Sequence, residues 1–121
     1  MLAALGFDLG WEDVWGGTAL HHAAWRGFGR LVDKLVDLGA PLDVRDKTYG
    51  SSPLAWAVHG SQHCRSADEE YLGIVRRLLE AGSGRAASIN RWGEPPESLG
   101  ARRVNAFVER WYREHPAART T

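Results

Sequence analysis

The sequence predicts an all-α fold of stacked helical hairpins. The segment TALHHAA, which starts at Thr18, recurs in similar form as SPLAWAV from Ser52, 34 residues further along the chain. A self-similar period of this length is typical of helical hairpins that stack side by side. Two further observations agree. Apolar residues recur at helical spacing within each copy, and a glycine follows each of the predicted helices that end at Gly27, Gly39 and Gly82.

The first unit contains two predicted helices. Thr18 is a good N-cap for a helix over residues 18–27, because its hydroxyl can accept a hydrogen bond from a first-turn amide. A second helix is predicted over residues 29–38, with Leu31, Val32, Leu35 and Val36 on one face. Residues 43–50 are polar and predict an exposed turn that leads to the next unit.

The second unit follows the same plan but is longer. Ser52 is the predicted cap and Pro53 takes the first helical position, where a missing N–H costs nothing. The second helix is predicted over residues 71–81. Gly39 and Gly82 follow the second helices of the two units, and their separation exceeds the repeat period by about ten residues. Most of these extra residues fall in residues 60–70. We predict an inserted loop there.

A third unit is degraded. The segment WGEPP from Trp92 aligns with the turn and helix start of the earlier units, and only a very short helix fits over residues 96–99. A last helix over residues 101–114 has an apolar face and an opposite charged face, as a terminal capping helix requires. The apolar face consists of Val104, Phe107, Val108 and Trp111.

This pattern resembles the ankyrin repeat. The first copy matches that family's pattern at Gly16, Thr18, Leu20, His21, Ala23, Ala24, Gly27, Val32, Leu35, Gly39 and Ala40. The second copy matches it at Asp46, Gly50, Pro53, Leu54, Ala57, Val75, Leu78, Leu79 and Gly82. The expected organisation is one domain over residues 1–121. It divides into a partial repeat (1–15), a repeat (16–46), a repeat with the inserted loop (47–83), a degenerate repeat with the capping helix (84–115) and a tail (116–121).

Composition excludes several classes of partner. Fifteen basic and fifteen acidic residues balance, so no overall field attracts nucleic acid or an anionic membrane. The single Cys64 cannot form an intramolecular disulfide, which agrees with a reducing compartment, and we expect a cytoplasmic location. No apolar run approaches the length that spans a membrane.

The resemblance implies a protein-binding scaffold without a cofactor, which binds through its turn tips and the outer face of its first helices. Register places an aromatic and basic set of residues on that concave face, and the inserted loop adds to it. The predicted binding residues are Trp11, Trp15, His22, Trp25, Arg26, Tyr49, Trp56, His59 and Trp92. A small-molecule ligand in an aromatic groove is possible on the same residues. The expected partner is a protein or a second copy of the chain. The end face near Leu2, Leu5, Phe7 and Leu31 is expected to be uncovered, and it would pair with a second copy or with another part of a longer protein.

A cofactor-independent hydrolase or acid/base enzyme is the alternative function. His22 and His59 would act in the aromatic groove with a carboxylate such as Glu12, Asp46 or Glu94. Cys64 with a histidine of the loop and Asp68 is a minimal nucleophilic set. His59 and His63 have the i, i+4 spacing of metal ligands, but too few further ligands exist, so no metal site is predicted. His21 is expected to be structural, because the resemblance implies that it binds backbone of a neighbouring turn.

Overall fold

The computed structural model describes residues 9–14, 16–64 and 67–119. The α-helices are α1 (Ala19–Arg26), α2 (Gly29–Asp37), α3 (Pro53–His63), α4 (Asp68–Ala81), α5 (Arg102–Glu114) and α6 (Pro116–Arg119). Two single 3₁₀ turns cover Ala86–Ser88 and Pro96–Ser98. None of the described residues lies in a β-strand. The predicted all-α fold is confirmed.

The helices form two layers. One layer holds α1, α3 and the 3₁₀ turn Pro96–Ser98, each packed on the next, and the other holds α2, α4 and α5 in the same order. Each first-layer element also packs on its partner of the second layer, α1 on α2, α3 on α4 and the 3₁₀ turn on α5. The chain is therefore a stack of three hairpins, the last of which has only a single turn as its first helix.

Apolar side chains between the layers form one continuous core. The largest of its fully buried members are Tyr71, Tyr112, Leu20, Leu35, Leu54, Ile74 and Leu78. On α5 the predicted Val104 and Val108 are buried, but the third buried residue is Tyr112. The predicted Phe107 and Trp111 are partly buried and pack against the core, and Trp111 also stacks on His115 with ring centroids 4.0 Å apart.

Thr18 and His21 close the first turn of α1. The Thr18 hydroxyl accepts from the backbone N–H of His21, and Nδ1 of His21 accepts from the backbone N–H of Thr18 at 3.0 Å. Because Nδ1 is an acceptor, Nε2 carries the proton and donates to the carbonyl of Ser51 at 3.0 Å. The buried ring thus ties α1 to the start of the next unit, as predicted for His21.

Ser52 does not act as the predicted cap. Its hydroxyl makes no capping hydrogen bond at the start of α3 and instead bonds the hydroxyl of Ser88 in the following unit. Ser88 in turn donates to the carbonyl of Gly84. Both serines are fully buried. The Ser52 hydroxyl therefore links two units and does not cap the start of α3.

The predicted loop over residues 60–70 is largely helical, and that prediction is wrong for most of its length. α3 continues through Gly60 to His63, and α4 begins at Asp68, three residues before the predicted start. The extra residues therefore lengthen both helices of the second hairpin. The extension is held by Ser61, whose hydroxyl donates to Val58 and accepts from the backbone N–H of Ala101. Tyr71, at the predicted start of the second helix, lies within α4 and is fully buried.

Candidate functional site

Three equivalent turns form one edge of the stack. In each turn a side chain oxygen of Asp13, Asp46 or Asn90 accepts backbone N–H groups of the residues that follow. The backbone carbonyl of the same residue accepts from Gly16, Gly50 or Gly93. These three glycines have φ between 66° and 80°, the left-handed region that glycine adopts without strain. The turns thus present the residues at their tips in register.

Asp46 is the most heavily bonded of these anchors. It is only 2 % exposed although it lies in the segment that was predicted to be an exposed turn. Its Oδ2 accepts from the N–H of Tyr49 at 2.6 Å, and its Oδ1 accepts from the N–H of Ser51 at 3.0 Å and from Nε1 of Trp56 at 2.9 Å. The carboxylate therefore fixes the turn and the Trp56 ring together.

Neighbouring turn tips are bonded to each other. The backbone N–H of Arg91 donates to the carbonyl of Tyr49 at 2.8 Å, and Arg45 bridges the carbonyls of Gly50 and Ile89. The rings of Tyr49 and Trp92 consequently lie side by side, with centroids 6.1 Å apart. The two tips form a continuous wall above the first-layer helices.

An open cavity of about 600 Å³ lies between these turn tips and the first-layer helices α1 and α3. We call it the aromatic cavity. Its lining includes seven aromatic or imidazole side chains from the three units, together with Arg26, Glu94 and smaller polar residues. The seven are His22, Trp25, Tyr49, Trp56, His59, His63 and Trp92. A cavity of this size and apolar character is typical of ligand sites.

Four of these rings form a closed circuit, the four-ring wall of Trp25, Trp56, Tyr49 and His59. Successive centroids around the circuit are 6.3, 6.0, 6.2 and 5.2 Å apart. Every neighbouring pair is close to perpendicular, with interplanar angles between 75° and 86°. This edge-to-face arrangement is favourable for aromatic pairs and holds the rings in fixed orientations.

His59 is the imidazole member of that wall. Burial lowers its pKa below the ordinary value, the nearby His63 lowers the pKa further, and the Glu94 carboxylate opposes both effects. The His63 ring lies 4.5 Å from that of His59 and stacks on Trp25 at 6.2 Å. The lowered pKa favours the neutral form of the His59 imidazole at pH 7.

His22 belongs to the opposite end of the cavity. Its Nε2 lies 2.6 Å from Oδ2 of Asp13, and the other oxygen of that carboxylate accepts from the N–H of Gly17. The ring packs edge-on against Trp56 with centroids 5.4 Å apart. The pair therefore joins the first turn to the side of α1.

The structure brings together seven of the nine predicted binding residues at this cavity, namely His22, Trp25, Arg26, Tyr49, Trp56, His59 and Trp92. Trp11 is 67 % exposed and is not among the cavity-lining residues, and Trp15 lies outside the described residues. Of the catalytic candidates, His22 and His59 line the cavity, whereas Glu12, Asp46 and Cys64 do not. Within the described ranges, no group of three or more His, Cys, Asp or Glu side chains is arranged to hold a metal ion.

Two features of the site were missed from the sequence. His63 reaches the cavity only because α3 continues past Gly60. Asn90 anchors the third turn although only the segment from Trp92 was aligned with it. The spacing of Asn90 and Gly93 equals that of Asp13 and Gly16, and this was the signal available in the sequence.

Comparison with known proteins decides the nature of the first unit. The sequence model of the ankyrin-repeat family matches residues 15–47, which include α1, α2 and the turn before α3. Residues 15–47 are thus similar to an ankyrin repeat. The predicted resemblance is confirmed, and ankyrin repeats are in general protein-interaction modules. No curated protein matches the chain. Among the described helices, none has the length and apolar character needed to cross a bilayer.

Proposed function

We propose that this chain binds a protein partner through the aromatic cavity and the turn tips around it. The observation that carries this proposal is the convergence of seven ring side chains from three successive hairpins on one open cavity. Trp92, at 61 % exposed, and Tyr49, at 41 %, lose their exposed apolar area when a partner covers them. Tryptophan and tyrosine are the residues that most often dominate interface energies.

Replacing Trp92 by alanine tests this proposal. In extracts of the cells that produce this protein, we expect Trp92→Ala to capture at least about tenfold less partner than the unaltered chain. A central Trp often contributes about 2 kcal/mol or more to the free energy of binding. Trp11→Ala is the matched control, because Trp11 is equally exposed and lies away from the cavity lining. Quantitative mass spectrometry compares the two. Equal recovery by both variants would contradict the proposal.

The contacts give the acid/base alternative less support. His22 already shares its Nε2 with Asp13, whose second oxygen is bonded to Gly17. Asp46 has three N–H donors on its two oxygens and lies outside the cavity lining. A general acid or base needs a side chain that is free to exchange a proton with a substrate. His59 retains that capacity, but no carboxylate bonds its ring among the described residues.

We also propose that the chain self-associates through the α1–α2 end of the stack. Phe28 and Leu31 are 51 % and 43 % exposed at this end, where a repeat normally meets a neighbour. The other residues predicted for this face, Leu2, Leu5 and Phe7, lie outside the described residues. A twofold pairing is the commonest closed arrangement of identical chains.

Solution mass tests the self-association. Light scattering at high protein concentration should give twice the 13.4 kDa of one chain. Leu31→Glu should return the mass to that of a single chain, because a carboxylate would be buried without a partner. Tyr49→Glu, at an exposed residue of the aromatic cavity, serves as the control and should leave the dimer intact. A single-chain mass for the unaltered protein would refute the pairing.

A further inference from the structure

The four rings of the four-ring wall lie close enough together to act jointly on a compact cation. Its centroids form a circuit with sides close to 6 Å, and neighbouring rings are nearly perpendicular. The centre of a square with such sides lies about 4 Å from each centroid, within the range of about 6 Å over which an aromatic face attracts a cation. All four of these residues line the open cavity.

The charges around the cavity agree with a cationic ligand. Glu94 lines the cavity, and its carboxylate is close enough to His59 to raise the pKa of that imidazole. The indole N–H of Trp56 is turned away toward Asp46, so this group offers no donor to an anion in the cavity. Arg26 is the basic residue of the lining, and it lies at the exposed end of α1.

We infer that the four-ring wall binds an alkylated ammonium group, carried on a lysine side chain of the protein partner. This inference rests on the proposed function, since it names the group of the partner that enters the cavity. A side chain is favoured over a free small cation by the volume of about 600 Å³, which has room for a long aliphatic stem and adjoining backbone as well as the ammonium group. An ammonium that carries methyl groups gives up its water more easily than a bare one, and desolvation strengthens cation–π attraction.

Isothermal titration of the full chain with small probes tests the charge requirement. The first probe is an Nα-acetylated lysine methylamide that is trimethylated at the side-chain Nε. The second is the same compound with carbon in place of the charged nitrogen, and the third is choline. We expect the charged lysine derivative to bind at least about tenfold more tightly than its neutral isostere. Equal affinities would show simple apolar burial and would overturn the inference. Tighter binding of choline than of the lysine derivative would overturn its assignment to a partner side chain.

Matched variants locate the site. Tyr49→Leu should weaken the charged probe by about three- to thirtyfold, because it removes one ring and keeps an apolar side chain. Glu94→Gln should weaken the charged probe and leave the neutral isostere unchanged. Trp11→Leu and Glu109→Gln are the controls away from the cavity lining, and circular dichroism verifies that each variant is folded. Equal losses in controls and cavity variants would contradict the inference.

Partner capture separates this inference from the proposed function. If Tyr49→Leu and Glu94→Gln lose the cationic probe while Trp92→Ala alone loses the partner, the chain binds its partner without using the four-ring wall for a cation. If the cationic probe binds as expected but Trp92→Ala captures the partner normally, the proposed interaction surface fails and the cation site stands alone.

Discussion

Gly60→Ala should destabilise the chain by about 3 kcal/mol or more, because the added methyl group would overlap the backbone of a neighbouring helix. Gly60 lies inside α3 where this helix crosses α1, and a Cβ there would fall well inside van der Waals contact with the carbonyl oxygen of Trp25. Backbone cannot move aside as a flexible side chain can. The same carbonyl is at the end of α1 and accepts from the hydroxyl of Tyr71 at 2.7 Å, so this bond would also be displaced.

Gly73→Ala is the control for that prediction. Gly73 also lies inside a helix, α4, but an added Cβ would have no heavy atom within 4 Å. Alanine should therefore stabilise the chain by about 1 kcal/mol through helix propensity alone. Urea denaturation of both variants gives the comparison. Similar changes in both would show that α1 and α3 do not approach as closely as described.

His21→Ala should destabilise the chain by about 2–4 kcal/mol. The substitution leaves the N–H of Thr18 and the carbonyl of Ser51 without their buried partner and opens a cavity between two units. His22→Ala is the adjacent control. Its ion pair with Asp13 is partly exposed, so we expect a loss below about 1 kcal/mol. Denaturation midpoints at pH 7.5 measure both, and a larger loss for His22→Ala would refute this assignment of roles.

Acid should also destabilise the chain through His21. Burial lowers the pKa of His21 below its ordinary 6.5, so the unfolded chain takes up this proton first as the pH falls. The contribution of the neutral ring is complete above pH 6.5 and is lost as the pH falls from there toward the folded-state pKa. The slope from one such group is at most about 1.4 kcal/mol per pH unit. His59 acts with the same sign, so the slope should decrease in His21→Ala without vanishing.

Local signals were sufficient to predict most of the fold. Thr18 caps α1, and Gly27, with φ of 77°, ends it, because both act within one turn of the chain. α2 was predicted to within one residue at its end. These features need no information about neighbouring units.

The errors occur where tertiary contacts override local preference. Gly60 and Ser61 favour a loop by propensity, but the close packing of Gly60 on α1 and the bonds of Ser61 to Val58 and Ala101 keep them helical. Ser52 has the right chemistry for a cap, yet its hydroxyl is used between units. Asp46 was expected in an exposed turn but is buried, and besides two N–H groups of its own turn it accepts from Nε1 of Trp56 on α3.

For the candidate site, too, the sequence predicted which residues share a surface but not how their rings are arranged. Register between the copies predicted that Trp25, Trp56, His59 and Tyr49 share a surface, since they occupy related positions in successive units. The perpendicular arrangement of these rings depends on contacts across three hairpins, including the bond from Trp56 to Asp46. No periodicity in the sequence encodes such angles.

A nuclear magnetic resonance titration tests the central claim about the site, that the four-ring wall of the aromatic cavity binds an alkylated ammonium group, most directly. Each tryptophan gives its own indole N–H signal, and variants assign those of Trp25, Trp56 and Trp92 in the cavity and of Trp11 and Trp111 away from its lining. On addition of the trimethylated lysine derivative, we expect saturable shifts of the Trp25 and Trp56 signals, with those of Trp11 and Trp111 unchanged. Saturable shifts at Trp11 or Trp111 alone, or no shift at Trp25 and Trp56, would contradict it.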